Sequence, residues 1–424
     1  MSHSDAAYRV FHVYLSTITR PRAAKGRGVA FVGGNVLALG TVSLITDVSA
    51  EMVTAVLPLY LVLGLHLSPL AYGVVDGVYT GATALLRIVG GYVADRVRAR
   101  KTLAGFGYAL SAVAKLGLLA AGRSLTGIGF VVAVDRMGKG LRTAPRDALI
   151  TMSTPPSALG RAFGVHRTMD AVGAFLGPLV ALAVLAGSGQ SYDAVFVTSF
   201  LVAILGVAVL VLFVRERDPL AASPPASPTR VRDAVALLRS ADLRRLLLAA
   251  TLLGVATIGD GFVYLMLQRR TEIGLLWFPL LAVGTSLGYL LLAAPLGMLA
   301  DRIGRRPVLL AGYAALAVTY LLLAAPIGGW ALLVAALAAY GLYYAATDGV
   351  LMALAGPVLP DALRATGLAL VQTGQALAYL VSSVLFGLAW AAWGPTAAVL
   401  MAALVAVVAG GVTAGLLFHK GRLA

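Results

Sequence analysis

Long apolar stretches recur along the chain, separated by brief polar or Gly/Pro-containing turns. Most run for about 20 residues or more, the length an α-helix needs to cross a bilayer core of ~30 Å. The pattern predicts spans at 34–64, 70–94, 102–121, 125–150, 162–187, 194–214, 244–267, 273–300, 308–326, 328–356, 365–391 and 395–418. The runs are continuous, not alternating, which argues against a barrel and for an all-α membrane protein of twelve transmembrane helices. Turns on one side are short, as in His66-Leu67-Ser68-Pro69 and Pro326-Ile327-Gly328-Gly329. The long interruption, Arg215 to Arg245, holds Pro219, Pro224, Pro225 and Pro228 among Ala and Ser, a linker composition. Val231, Val235 and Leu238 at helical spacing then predict a surface helix. The chain therefore divides into a tail (1–27), a six-helix bundle (28–214), a linker (215–243), a second six-helix bundle (244–418) and a tail (419–424).

One span breaks the apolar pattern. After Ile128–Val134 comes Asp135-Arg-Met-Gly-Lys-Gly-Leu-Arg-Thr-Ala-Pro-Arg-Asp147. At ~100° per residue, Asp135, Arg136, Lys139, Arg142, Arg146 and Asp147 gather on one face, opposite Met137, Leu141 and Ala144. A charge at the bilayer centre costs ~2.5–3.5 kcal/mol even on the lenient scale, so this face must meet partners or water.

Composition agrees, with 60% hydrophobic and 12% charged residues. The net charge of +15 does not point to nucleic acid, because of where it lies. By the spans above, 23 of the 33 Lys and Arg fall in segments on the linker side and only Arg123, Arg269 and Arg270 in the opposite loops. That is the positive-inside pattern, with both termini cytoplasmic. There is no cysteine, hence no disulfide or thiolate metal site. The first 27 residues lack the features of a signal peptide.

The two halves resemble each other. Gly91-Tyr-Val-Ala-Asp95-Arg96 recurs as Gly297-Met-Leu-Ala-Asp301-Arg302, and Arg161-Ala-Phe-Gly164 as Arg364-Ala-Thr-Gly367. Parallel six-helix repeats with a midplane site between them are a transporter architecture. On these residues the chain resembles the major facilitator superfamily (MFS) over nearly its whole length. The family's loop signature is nearly complete in the second copy (Gly297, Asp301, Arg302, Gly304, Arg305, Arg306) and imperfect in the first, where Arg98 and Ala99 replace a Gly and an Arg. Arg136-Met-Gly-Lys-Gly140 resembles the fourth-helix pattern of proton-coupled members. Gly173-Ala-Phe-Leu-Gly177-Pro178 resembles a fifth-helix antiporter pattern, although such glycines also serve plain helix packing. The resemblance implies a cavity lined by helices one, four, seven and ten. It also implies a gate at the linker side made by Gly91, Asp95, Arg96, Gly297, Asp301 and Arg302.

Intramembrane charges locate the candidate chemistry. Asp47 and Glu51 lie one turn apart on the first helix. By depth, Asp47 is nearest Arg136 and Lys139 of the fourth, so Asp47, Glu51, Asp135, Arg136, Lys139 and Arg142 form the candidate proton-coupling set. Lys139 stands out because the chain holds 28 Arg and five Lys, and a buried lysine can change its charge whereas arginine cannot. Asp76, Arg87, Arg146, Asp147, His166, Arg167 and Asp170 form the supporting set. Thirteen of the fifteen intramembrane charges fall in the first half. The second half offers Asp260, Tyr264, Tyr343, Tyr344, Asp348, Gln372 and Gln375, with Phe262 and Tyr379, as a substrate wall.

These features point to a secondary transporter, not an enzyme, working by alternating access in a bacterial inner membrane. No nucleotide-binding loop is present, so a gradient supplies the energy. The leading expectation is proton-coupled efflux of a small organic solute. Alternatives are a proton-coupled importer of an anionic metabolite, or a transporter-like sensor or lipid-handling protein. The expected partners are a small-molecule substrate, protons and membrane lipids, with no nucleic acid, cofactor or metal, and the chain is expected to be a monomer. Single cysteines test the orientation: Ser68→Cys should react with an impermeant maleimide on intact cells, and Ser223→Cys only after lysis. The reverse labelling would invert the topology.

Overall fold

The computed structural model describes residues 33–96, 100–155, 158–216, 237–348, 350–355, 358–359 and 364–418, with residues 85, 87–96 and 364–366 described by their backbone alone. Both tails and most of the linker, including Val231 and Val235 of the expected surface helix, lie outside these residues.

Among the described residues all regular structure is helical. The first half holds α1 (Gly34–Leu59, continued by a π-helical turn Tyr60–Gly64), α2 (Pro69–Arg96), α3 (Arg100–Ala121), α4 (Leu125–Met152), α5 (Leu159–Gly187) and α6 (Tyr192–Phe213). In the second half, α7 comes in two segments, Ala241–Ala256 and Asp260–Thr271, and a short 3-10 turn (Leu275–Trp277) leads to α8 (Pro279–Ile303). Then follow α9 (Arg305–Ala324), α10 in segments Gly329–Thr347 and Val350–Ala355, α11 (Arg364–Trp393) and α12 (Pro395–Phe418).

Serines start several of these helices. Ser68, Ser124, Ser191 and Ser240 each accept a hydrogen bond from the backbone N–H three residues on, satisfying a donor the helix itself leaves free. Among the described residues ten helices are long and apolar enough to cross a membrane, and α4, the carrier of the charged face, is not one of them. On α6 and α12, exposed Leu212, Phe213, Leu404 and Val407 form apolar surfaces that only lipid would solvate well.

Glycines set the close helix contacts. A Cβ on Gly107 would lie 2.7 Å from the Gly138 carbonyl oxygen, and one on Gly138 would lie 2.8 Å from the Ser111 nitrogen, so α3 and α4 touch backbone to backbone. Gly173 and Gly177 do the same for α5 against Leu44, Val48 and Glu51 of α1, which is the packing role that spacing allows. The halves meet chiefly where α2 lies along α11, with a smaller contact between α5 and α8. Along the first of these, Gly77 faces the Leu380 carbonyl and Gly387 faces Pro69 and Leu70. These contacts sit towards the end of the bundle that carries the α1–α2 turn, here called the short-loop end.

Two spans read as continuous are interrupted. At Thr257-Ile258-Gly259, two β-branched residues and a glycine weaken the helix, and Tyr320 takes over its bonding. Its hydroxyl accepts from Ile258 N–H at 3.0 Å and donates to the Ala256 carbonyl at 3.3 Å. α10 leaves helical geometry at Asp348 (φ −62°, ψ 123°).

The α3–α4 seam gives a stability test. Gly138→Val should lower the melting temperature, since overpacking a tight contact costs ~1–3 kcal/mol. Gly129→Ala, on the same helix with nothing within 4 Å of its Cβ, should hold or raise it. Melting curves of the two purified variants check both.

Candidate functional site

The charged face of α4 does turn inward, while Met137 opposite it is exposed. Its charges are sorted into pairs. Asp135 is the most heavily neutralised: Arg136 Nε donates to it at 2.9 Å, Ser111 of α3 hydrogen-bonds it, and Lys115 Nζ lies 3.6 Å away. The close α3–α4 approach at Gly107 and Gly138 is what lets Ser111 and Lys115 reach it. Arg136 also lies 3.8 Å over the ring of Tyr79, whose hydroxyl is 2.9 Å from Thr54 Oγ1.

Further along α4, Arg142 stacks 4.3 Å over Tyr108 and comes within 3.9 Å of Asp47. By depth Asp47 lies nearest Arg136 and Lys139, but Arg136 is held by Asp135, Lys139 stays beyond ion-pair distance, and the partner is Arg142. Arg146 pairs with Asp147 at 2.9 Å and donates to Ser43 at 3.2 Å. Ser43 is 3.4 Å from His166 Nε2, which is 3.6 Å from Asp170. Of the supporting set, Arg146, Asp147, His166 and Asp170 thus join through Ser43, whereas Arg167 is exposed and makes no ion pair among the described residues. Arg87 lies outside the residues described by side chain.

Two charges remain unpaired. Among the described residues neither Lys139 nor Glu51 makes an ion pair or a side-chain hydrogen bond. Lys139 interacts at longer range with Asp47 and Glu51, and Glu51 with Lys139, Asp47 and Asp260. Lys139 opens instead onto a cavity of about 410 Å³ lined by Tyr79, Thr80, Thr83 and Arg136 from the first half and Gln372 and Thr373 from the second. The hydroxyl-bearing face of α2 was missed in the sequence, though Tyr79, Thr80 and Thr83 fall within about one turn and so share a side.

The expected substrate wall is largely a packed aromatic cluster. Phe262 is fully buried between Tyr72, Phe386 and Trp390. Tyr340 and Tyr344 both donate to Asp260 Oδ1 at 2.6 Å, Tyr343 stacks on Tyr340, and Tyr264 donates to Thr285 at 3.1 Å. Gln372 reaches the cavity, Gln375 hydrogen-bonds Tyr313, and exposed Asp348 accepts from Tyr289 at 2.8 Å. Asp76 lies away from the α4 network. It accepts from Tyr379 at 3.0 Å and Ser383 at 2.6 Å, both on α11.

Of the expected gate, the side chains of Gly91, Asp95 and Arg96 lie outside the description. Gly297 has open space around it, and Asp301 and Arg302 are exposed without an ion pair among the described residues. Gly304 (φ +96°) turns the chain from α8 into α9, where Arg305 donates to the Ala353 carbonyl at 2.7 Å, a tie to α10 within the same half.

The sequence profile of the Major Facilitator Superfamily matches residues 39–283 and 267–422. An uncharacterised MFS-type transporter of Methanocaldococcus jannaschii is 30% identical over 381 residues, 89% of this chain and 93% of that protein. An uncharacterised protein of Mycobacterium tuberculosis is 36% identical over 160 residues, 37% of this chain and 38% of its own. Among solved structures, the nucleoside transporter NupG superposes with a TM-score of 0.76 at 15% identity, over 91% of this chain and 99% of that one. A POT family transporter in complex with 5-aminolevulinic acid gives 0.75 at 14% identity, over 94% and 98%. At those identities the likeness is one of fold.

The sorting of charges predicts opposite outcomes for neighbouring residues. Asp135→Asn strands Arg136 and Lys115 and should cost ~3–5 kcal/mol, seen as poor expression and early melting. Lys139→Gln breaks no pair and should melt close to the parent protein. Equal melting of the two variants would contradict the assignment.

Proposed function

Because the chain belongs to the Major Facilitator Superfamily, we propose that its transport is proton-coupled, with protons exchanged at Asp47, Glu51 and Lys139 against an organic solute that is carried outward. Membership itself makes it a multi-pass secondary transporter of small molecules. The observation that carries the proton reading is that Lys139 and Glu51 stand without ion pairs beside Asp47, whose own pair with Arg142 is long at 3.9 Å. Arg136–Asp135 and Arg146–Asp147 are settled, and an arginine holds its charge throughout. Lys139 faces two carboxylates from beyond ion-pair distance and opens to the cavity. A proton arriving on Asp47 or Glu51 removes one negative charge from the lysine's surroundings and frees it for the other acid or for the solute. Each proton state therefore favours a different arrangement of α1 against α4.

The cavity suits a small polar organic molecule, since hydroxyls of Tyr79, Thr80, Thr83 and Thr373 and the Gln372 amide surround it. In this reading Asp260, Tyr264, Tyr343, Tyr344 and Gln375 shape the second-half wall from behind. The glycine-rich loops with Asp95, Arg96, Asp301 and Arg302 act as the opposite gate. Both termini face the cytoplasm of a bacterial inner membrane, and the protein acts as a monomer.

A second reading, import of an anionic metabolite, is favoured by the Lys139 ammonium standing on the cavity wall without a paired carboxylate. The direction of the imposed proton gradient that drives accumulation in proteoliposomes separates the two.

Coupling has its own test. Asp47→Asn and Glu51→Gln each imitate a protonated acid permanently. The acid that carries the proton should, when replaced, keep substrate counterflow but lose accumulation against a gradient by at least tenfold. If both variants fold and both still concentrate substrate under a proton gradient, the triad is not the coupling site.

A further inference from the structure

Asp76 is a half-buried acid that the α1–α4 network does not use. It sits on α2, in the first half, but its hydrogen bonds cross to the second. Tyr379 Oη donates to Asp76 Oδ2 at 3.0 Å and Ser383 Oγ to the same oxygen at 2.6 Å. Tyr72, one turn earlier on α2, approaches Oδ1 at 3.5 Å. On a third side lies Gly259, at the interruption of α7; its missing side chain leaves the space that the Asp76 carboxylate fills. The N-terminus of the segment Asp260–Thr271 begins there, and its free N–H groups present a partial positive charge.

The charged and titratable groups around it can be named element by element: Tyr72 on α2, Tyr379 on α11, Asp260 on α7, and Tyr344 of α10 behind Asp260. No Lys, Arg or His pairs with Asp76 among the described residues. Everything that compensates its charge is a hydroxyl donor or a helix end, and two of those donors belong to the other half.

The location matters as much as the chemistry. Gly73, Gly77 and Gly387 bring α2 and α11 into backbone contact on either side of these bonds, and Tyr72 and Pro58 press on Gly261. This is the seam that closes the short-loop end. For that end to open, α2 and α11 must part, and Asp76 must lose Tyr379 and Ser383.

We propose that Asp76 is a second protonation site, a latch in the seam that holds the short-loop end shut while it is an acceptor-only carboxylate and releases it on taking up a proton. An ionised carboxylate accepts from every donor in the closed seam, whereas the neutral acid must turn one of those hydroxyls from donor to acceptor and so keeps fewer of the closed-state bonds. Closure therefore favours the ionised form, and by reciprocity proton uptake favours opening. The site is separate from the Asp47–Glu51–Lys139 triad and stands whether that triad couples transport or not.

The chain has no cysteine, so a labelled pair can be installed on the full-length protein. Spin labels on Ser68→Cys and Trp393→Cys, one on each half at the short-loop end, report opening as a distance. In lipid nanodiscs at high pH the short distance should dominate, and a longer one should grow as pH falls. Asp76→Asn should show the longer distance at all pH values, with the pH response lost. Tyr379→Phe with Ser383→Ala keeps the acid but removes its cross-seam donors; its opening midpoint should move to higher pH by about one unit or more, since a hydrogen bond to a charged group contributes ~1.5–3 kcal/mol. This second variant decides the matter if Asp76→Asn does not fold. Distances that do not respond to pH in the parent, or a midpoint unmoved in the double variant, would overturn the latch.

Discussion

A charge in hydrocarbon must be paired or wetted, and most of this structure can be derived from that requirement. Asp135 needs Lys115 and Ser111, which sit on the neighbouring helix, so α3 and α4 must come closer than side chains normally allow. Gly107 and Gly138 face each other for that reason. Arg136 and Arg142 cover their flat faces with Tyr79 and Tyr108, an apolar surface that also favours a cation. Once those demands are met, two charges are left over. Lys139 stands on the wall of a cavity that can admit solvent, so the void that hydrates it is, in the proposed reading, also the binding space, while Glu51 rests on the longer-range attraction of Lys139.

The second half meets the requirement differently. It carries few intramembrane charges, and its carboxylates Asp260 and Asp348 rest on tyrosine hydroxyls instead of cations. Hydroxyl donors exchange partners at lower cost than ion pairs, because separating them strands no full charge. The interruption of α7 belongs to the same logic: it exposes helix-end N–H groups at the place where two carboxylates, Asp76 and Asp260, have no base.

Much of this was legible in the sequence. The apolar runs gave helix positions to within a few residues, because in a membrane hydrophobicity and length alone decide what spans. The inward turn of the α4 face followed from its angular pattern. What stayed hidden was partner choice. Depth counting placed Asp47 level with Arg136, but ion pairs depend on azimuth and on competition, and Asp135 sits beside Arg136 on the same helix. Asp76 was grouped with the first-half charges because sequence shows which helix a residue is on, not which helix it faces. Similarly, Tyr264 and Tyr343 were read as a wall because aromatic content says nothing of whether a ring lines a cavity or fills one. The breaks at Thr257–Gly259 and Asp348 lay inside runs whose average over a whole span stays apolar, so a dip of a few residues there reads as a charge within a helix and not as its interruption.

Glu51 is not isolated from the seam. Glu51 interacts electrostatically with Lys139 and Asp47 on one side and with Asp260 on the other, and Asp76 interacts with Asp260 in turn. Like charges in sequence make each proton position depend on the others: a proton on Glu51 relieves Asp260, and a negative charge on Asp260 weighs on Asp76. A change of charge beside the cavity is therefore felt at the seam without any side chain having to travel between them. In the proposed latch such coupling has a sign. A proton on Glu51 lets Asp260 hold its negative charge more readily, and that charge disfavours an ionised Asp76, so protonation of Glu51 favours release of the short-loop end, whereas an ionised Glu51 favours the closed latch.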